Sequence, residues 1–188
     1  MSETSNSQKR VAPIIASVVG ALLVAFLWVL VTAEPNTADD ADSPLLGQPA
    51  PSVVTTTLND EEFVLANRKG SWVIFNFFNS TCVPCIAEHP ELVAFNEREL
   101  QATNPAEIYT VINDDNDASV RAFFAKNGGD WQKVRDTDGA ISVAFGVAKV
   151  PETWVIDPNG YVRLRIAGML TPGLLDDQLA QLKAQFGS

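Results

Sequence analysis

The run Trp72-Val73-Ile74-Phe75-Asn76-Phe77-Phe78 constrains the fold of this 188-residue chain more than any other feature. Its nearly unbroken β-branched and aromatic side chains predict a strand buried on both faces, which needs a layer of structure on either side. Asn79-Ser80-Thr81-Cys82 follow at once and include helix-capping types. A helix is expected from there to about residue 101, with Pro90 as a kink near its first turns. The chain's two cysteines, Cys82 and Cys85, sit at that handover from buried strand to helix.

Around this centre the pattern predicts an α/β fold with a mixed central sheet, helices on both faces and an N-terminal β-hairpin. Residues 51–58 and 62–66 are β-prone and flank Asn59-Asp60, giving the hairpin. Residues 108–113 read as a strand, and 117–126 as a helix ended by Asn127-Gly128-Gly129. A short helix over 140–145 precedes a strand over 153–157. Pro158-Asn159-Gly160 then turns the chain into an alternating strand over 161–166. The last helix is expected over 171–186, with Leu174, Leu175, Leu179 and Leu182 facing inward.

The N-terminal part is of another kind. No charged residue occurs between Val11 and Ala33. At a helical rise this stretch is long enough for a bilayer core of about 30 Å. Lys9 and Arg10 precede it, and Glu34, Asp39, Asp40 and Asp42 follow it, which puts the N-terminus in the cytoplasm and the rest outside. A cleaved signal peptide ending at Val31-Thr32-Ala33 is the competing reading. The stretch exceeds the usual ~7–15 residues of such a segment, which favours an uncleaved anchor. The expected division is a cytoplasmic segment at 1–10, one transmembrane helix at 11–33, a solvated acidic linker at 34–44 and the domain at 45–188. Both readings place the cysteines in an oxidising compartment.

Composition removes several functions. Thirteen Lys+Arg against 23 Asp+Glu leave a net charge of −10, so nucleic acid is not expected as a partner. Two cysteines and one histidine exclude a disulfide scaffold and an all-protein Cys/His zinc site. Asp114, Asp115 and Asp117 read as a strand-to-helix loop with a capping Asp, because no coordinating pattern follows. No metal and no cofactor is expected beyond a redox-active Cys82–Cys85 disulfide.

Three-residue spacing puts Cys82 and Cys85 on one helix face. Cys82 lies at the helix start, where unpaired N–H groups and the positive end of the dipole favour a thiolate, so it is expected to be the attacking sulfur with a depressed pKa. Cys85, one turn in, is expected to be more buried and to resolve the mixed disulfide. Pro84 is tolerated in the first turn. A purely structural disulfide gains little from so short a loop, and a haem site would need His where Ile86 stands.

Lys69 to Phe78, then Cys82-Val83-Pro84-Cys85-Ile86-Ala87-Glu88-His89-Pro90, resemble the thioredoxin fold and, more narrowly, the membrane-anchored TlpA/ResA/CcmG group of thiol–disulfide oxidoreductases. Gly146-Val147-Ala148-Lys149-Val150-Pro151-Glu152-Thr153-Trp154 and the opening Leu46-Gly47-Gln48-Pro49-Ala50-Pro51 are similar to that group as well. The resemblance implies an extracytoplasmic reductase of substrate-protein disulfides, such as those of apocytochrome c during cytochrome c maturation, fed by a transmembrane thiol donor. It implies a cis Pro151 facing the disulfide. With Val150, Glu152 and Thr81, that proline would form the substrate-binding surface. It also implies that Glu88, beside the thiols, tunes their protonation and exchanges a proton with Cys85.

For Glu88 the bland alternative is a solvated helix residue, and for Glu152 a surface charge. His89 is expected at the surface, and Trp72 and Trp154 in the core. Thr81 departs from the group, which usually has Trp there, and this weakens the cytochrome-specific expectation. Three other functions compete: an oxidant or isomerase in protein folding, a peroxiredoxin-like peroxidase, and a tethered binding module without turnover. The peroxidase is disfavoured because no Pro precedes Cys82 in its loop.

Overall fold

A computed structural model describes residues 8–32, 39–40 and 42–187, and the chain divides into two compact units, Met1–Pro35 and Asn36–Ser188. The first contains one helix, α1 (Gln8–Thr32). Its described side chains run from Ile15 to Trp28, and Leu22, Val24 and Phe26 among them are well exposed. Among the described residues no helix is long and apolar enough to cross a membrane. Fourteen side chains at a helical rise cover about 21 Å, short of a bilayer core. The segment expected to span at 11–33 is thus helical through Thr32, but is not shown as a span, and Ala33 lies outside the described residues.

The second unit holds β1 (Asp39–Asp40), the hairpin β2 (Val54–Thr56) and β3 (Glu62–Val64), β4 (Val73–Phe78), α2 (Val83–Glu99), β5 (Glu107–Ile112), α3 (Asp117–Asn127), β6 (Gln132–Arg135), α4 (Ala140–Phe145), β7 (Glu152–Ile156), β8 (Val162–Ala167) and α5 (Leu174–Phe186). The main sheet has the order β1-β8-β7-β4-β5-β6. β4, β5 and β6 run parallel; β7 and β8 are antiparallel to their neighbours. This is the mixed sheet expected from helix-linked strands followed by a late hairpin.

β4 is central and all six of its residues are buried. Alternation sends Val73, Phe75 and Phe77 into a cluster with Phe63, Tyr109, Phe145 and Trp154. Trp72 and Ile74 face the other way, against Leu92 and Phe95 of α2 and Leu175 and Leu179 of α5. Burial of this kind is worth about 1.5–3 kcal/mol per large side chain, which is why so apolar a run can only be a core strand.

Two parts differ from the sequence reading. The acidic stretch expected as a solvated tether contributes β1, whose Asp39 and Asp40 pair with Ala167 and Ile166. β6 was not expected at all. Of its four residues only Val134 is buried, so neither a run nor an alternation marks it.

Candidate active site

The C-terminal end of β4 meets the start of α2 through a loop that is pinned from outside. The Asn79 side-chain amide donates to the carbonyls of Asn113 (3.1 Å) and Asp114 (2.7 Å), and its oxygen accepts from the Thr81 N–H at 2.9 Å. Ser80 N–H donates to Asp115 at 2.6 Å. Asp114 and Asp115 therefore brace the approach to the cysteines. Thr81 is exposed.

Cys82 is the N-cap of α2, and its Sγ accepts the Cys85 N–H at 3.4 Å. A sulfur in this place satisfies one of the orphan donors that every helix start presents. Cys82 Sγ–H also points to the Val150 carbonyl at 3.6 Å. The Val150–Pro151 peptide is cis, as the resemblance implies. Thus 68 residues of sequence separation close into one surface carrying Cys82, Val150 and Pro151, with Cys82 and Val150 partly exposed and Pro151 buried.

Cys85 lies beneath, fully buried. Burial pushes its pKa well above the ordinary thiol range, with added upward contributions from the Cys82 sulfur and the charge of Glu88. Glu88 follows one turn later and is buried, not solvated. Its Oε1 accepts from Asn76 Nδ2 of β4 at 2.8 Å, and its Oε2 accepts the Leu170 N–H, from the loop after β8, at 2.8 Å. Burial raises its pKa to about 7, against the lowering effect of those two donors. A carboxyl poised near neutrality beside a high-pKa thiol can take that thiol's proton and return it.

Glu152 is also buried, on the opposite face of the sheet. Its carboxylate holds the Arg165 guanidinium at 2.8 and 3.1 Å and accepts Trp154 Nε1–H at 2.8 Å. It braces β7 against β8 and is neither a surface charge nor open to a substrate chain. His89, expected at the surface, is buried among Phe123, Phe124 and Trp131, with Nε2 3.1 Å from the Gly128 carbonyl. Burial lowers its pKa. The residue that sequence reasoning missed is Asn76. One polar side chain inside a wholly buried strand is itself the signal, because such a group must find partners.

Residues 46–165 match the model of the AhpC/TSA family. The chain belongs to that family. Among its relatives is the thiol:disulfide interchange protein HelX of Rhodobacter capsulatus, 32% identical over 154 residues, covering 80% of this chain and 82% of that one. Another is the thiol:disulfide interchange protein DsbE of Pseudomonas aeruginosa, 28% identical, covering 89% and 88%. The fold matches the thioredoxin domain of a thiol–disulfide oxidoreductase from Bacteroides vulgatus with a TM-score of 0.65 at 20% identity, over 74% of this chain and 99% of that one. This AhpC/TSA member is a thiol–disulfide oxidoreductase with a C-x-x-C pair. The TlpA/ResA/CcmG resemblance of the sequence agrees with these relatives.

Proposed function

We propose that the protein is a membrane-tethered, extracytoplasmic reductase of substrate-protein disulfides, with apocytochrome c as its substrate class and a transmembrane thiol carrier as its electron donor. The observation that carries the reading is the pairing of a partly exposed Cys82, aimed at the Val150 carbonyl, with a buried Cys85 backed by Glu88. Cys82 attacks a substrate disulfide; one substrate sulfur leaves as thiolate and the other bonds to Cys82. Cys85 then gives its proton to Glu88 and attacks Cys82 Sγ. The Cys82–Cys85 bond forms, the bond to substrate breaks, and its electron pair leaves on the substrate sulfur. The substrate gains two electrons and the protein dithiol becomes a disulfide, which the donor reduces.

The names of the interchange-protein relatives support the exchange chemistry, and the direction is taken from the sequence resemblance. Support for the tether is the uncharged run from Val11 to Ala33, together with the apolar side chains that α1 leaves exposed. A peroxidase would need an arginine beside its activated cysteine, and among the described residues no hydrogen bond or ion pair joins an arginine to Cys82.

Trapping tests the proposal. A Cys85→Ser chain, expressed in cells, should accumulate a mixed disulfide through Cys82, and mass spectrometry should find an apocytochrome in it. Recovery of many unrelated secreted proteins, or a reduction potential near about −120 mV, would point to an oxidant instead.

A further inference from the structure

The β4 register places Asn76 opposite Thr110 of β5 and Thr153 of β7. All three are buried, and they form a polar row beneath Glu88 in an otherwise apolar layer. The Asn76 amide nitrogen donates to Glu88 Oε1 at 2.8 Å and to Thr153 Oγ1 at 3.2 Å. Its oxygen Oδ1 is buried and has no partner. An unpaired buried polar atom costs about 1–3 kcal/mol whichever end of the amide it is, so the partner that Glu88 offers decides between this orientation and its inverse.

The proton balance of Glu88 bears on that choice. As a carboxylate, Glu88 accepts on both oxygens and both partners are donors. Once Glu88 is protonated, one oxygen must donate. The Leu170 backbone N–H cannot become an acceptor. Asn76 can, because turning its carboxamide by half a rotation exchanges nitrogen for oxygen in the same volume. Thr153 tolerates either state, since a hydroxyl both donates and accepts.

We propose that Asn76 is a positioning residue for thiol exchange: its carboxamide inverts when Glu88 takes a proton, turning from donor to acceptor and holding Glu88 in place in both charge states. This rests on the reading of Glu88 as the group that receives the Cys85 proton. The inversion moves no covalent bond; the proton leaves Cys85 Sγ and resides on Glu88 Oε1, where Asn76 Oδ1 accepts it. Glu88's midpoint near neutrality matches a site with a good partner for each form.

Other ionisable groups packed around the site are engaged elsewhere. Cys82 and Cys85 on α2 share the site. His89 is held by Gly128 and three aromatic rings. Glu152 of β7 faces Arg165 across the sheet, and Asp176 of α5 is bound to Arg98. Lys133 of β6 lies over the Phe124 ring.

The test uses the reduced, isotope-labelled full chain in detergent micelles. The Glu88 carboxyl carbon shift reports its titration between about pH 5 and about pH 9. Proton cross-relaxation between the Asn76 side-chain NH2 and the Thr153 methyl should be present at the alkaline end and lost at the acid end, with the midpoint of the Glu88 carbon. An unchanged cross-peak while Glu88 titrates, or no Glu88 titration in that range, overturns the proposal.

Asn76→Leu gives a kinetic measure. Release of a small thiol from its Cys82 mixed disulfide should slow at least about tenfold near neutral pH, with the inflection of the pH profile displaced. An unchanged rate and profile overturns the proposal. If Cys82 forms no mixed disulfide at all, it is the exchange reading that fails, and the cross-relaxation result still decides the amide.

Discussion

Glu88 ties stability to pH. Its carboxyl titrates near 4.5 when unfolded and about 7 when folded, so between those values the folded chain keeps a proton that the unfolded chain has lost. The stabilising contribution is complete below the unfolded value and disappears as pH rises through about 7, an effect of about 3 kcal/mol. Denaturant unfolding at several pH values should show stability falling over that window, and Glu88→Gln should flatten the fall. Cys85 follows the same logic of burial. In a Cys82→Ser chain, its alkylation at about pH 8 should run at least about tenfold slower than that of Cys82 in a Cys85→Ser chain, as timed by mass spectrometry. Helical spacing put Glu88 on the face of the cysteines, and the family resemblance singled it out. Its burial was not legible, because the donor that closes over it, Leu170, lies 82 residues further on. His89 misled for a related reason: the cage around it comes from Phe123, Phe124 and Trp131, which no local pattern connects to it.

At the level of elements, what could be read was what is periodic or local. β4 announced itself by continuous hydrophobicity, and the α2 start by the residues before Cys82. β6 offered one buried residue, Val134, between polar neighbours, and was invisible. Glu152 sits where β7 begins, and the family resemblance implied contact with substrate, with a surface charge as the alternative. The structure gives it Arg165 and Trp154 as partners instead. Glu152→Ala should therefore destabilise the fold by about 3 kcal/mol, because Arg165 would lose its buried counter-ion. A melting temperature unchanged from wild type would show that the Glu152–Arg165 pair adds no net stability. Asp136 plays a comparable part at α4, accepting from the N–H groups of Ile141 (2.8 Å) and Ser142 (2.9 Å) and from the Ser142 hydroxyl at 2.6 Å. In doing so it satisfies donors that a helix start leaves open.

For the molecule as a whole, the proposed tether has a direct physical check. The full chain should float with phospholipid vesicles in a density gradient, and a chain lacking residues 1–35 should remain in the aqueous fraction; equal flotation would remove α1 as the anchor. The sheet's margins carry a further consequence. On one side Asp39 and Asp40 pair with β8. On the other, Thr57 bridges Val134 and Leu58 N–H binds the Lys133 carbonyl at 2.9 Å. An enzyme that handles half-folded clients risks having them zip onto any free ladder of its own and drag it into an aggregate. Here those rims are paired with the protein's own chain at Asp39, Asp40, Thr57 and Leu58, which under the proposed function leaves the Val150 carbonyl as the place where a client's backbone can dock and be released.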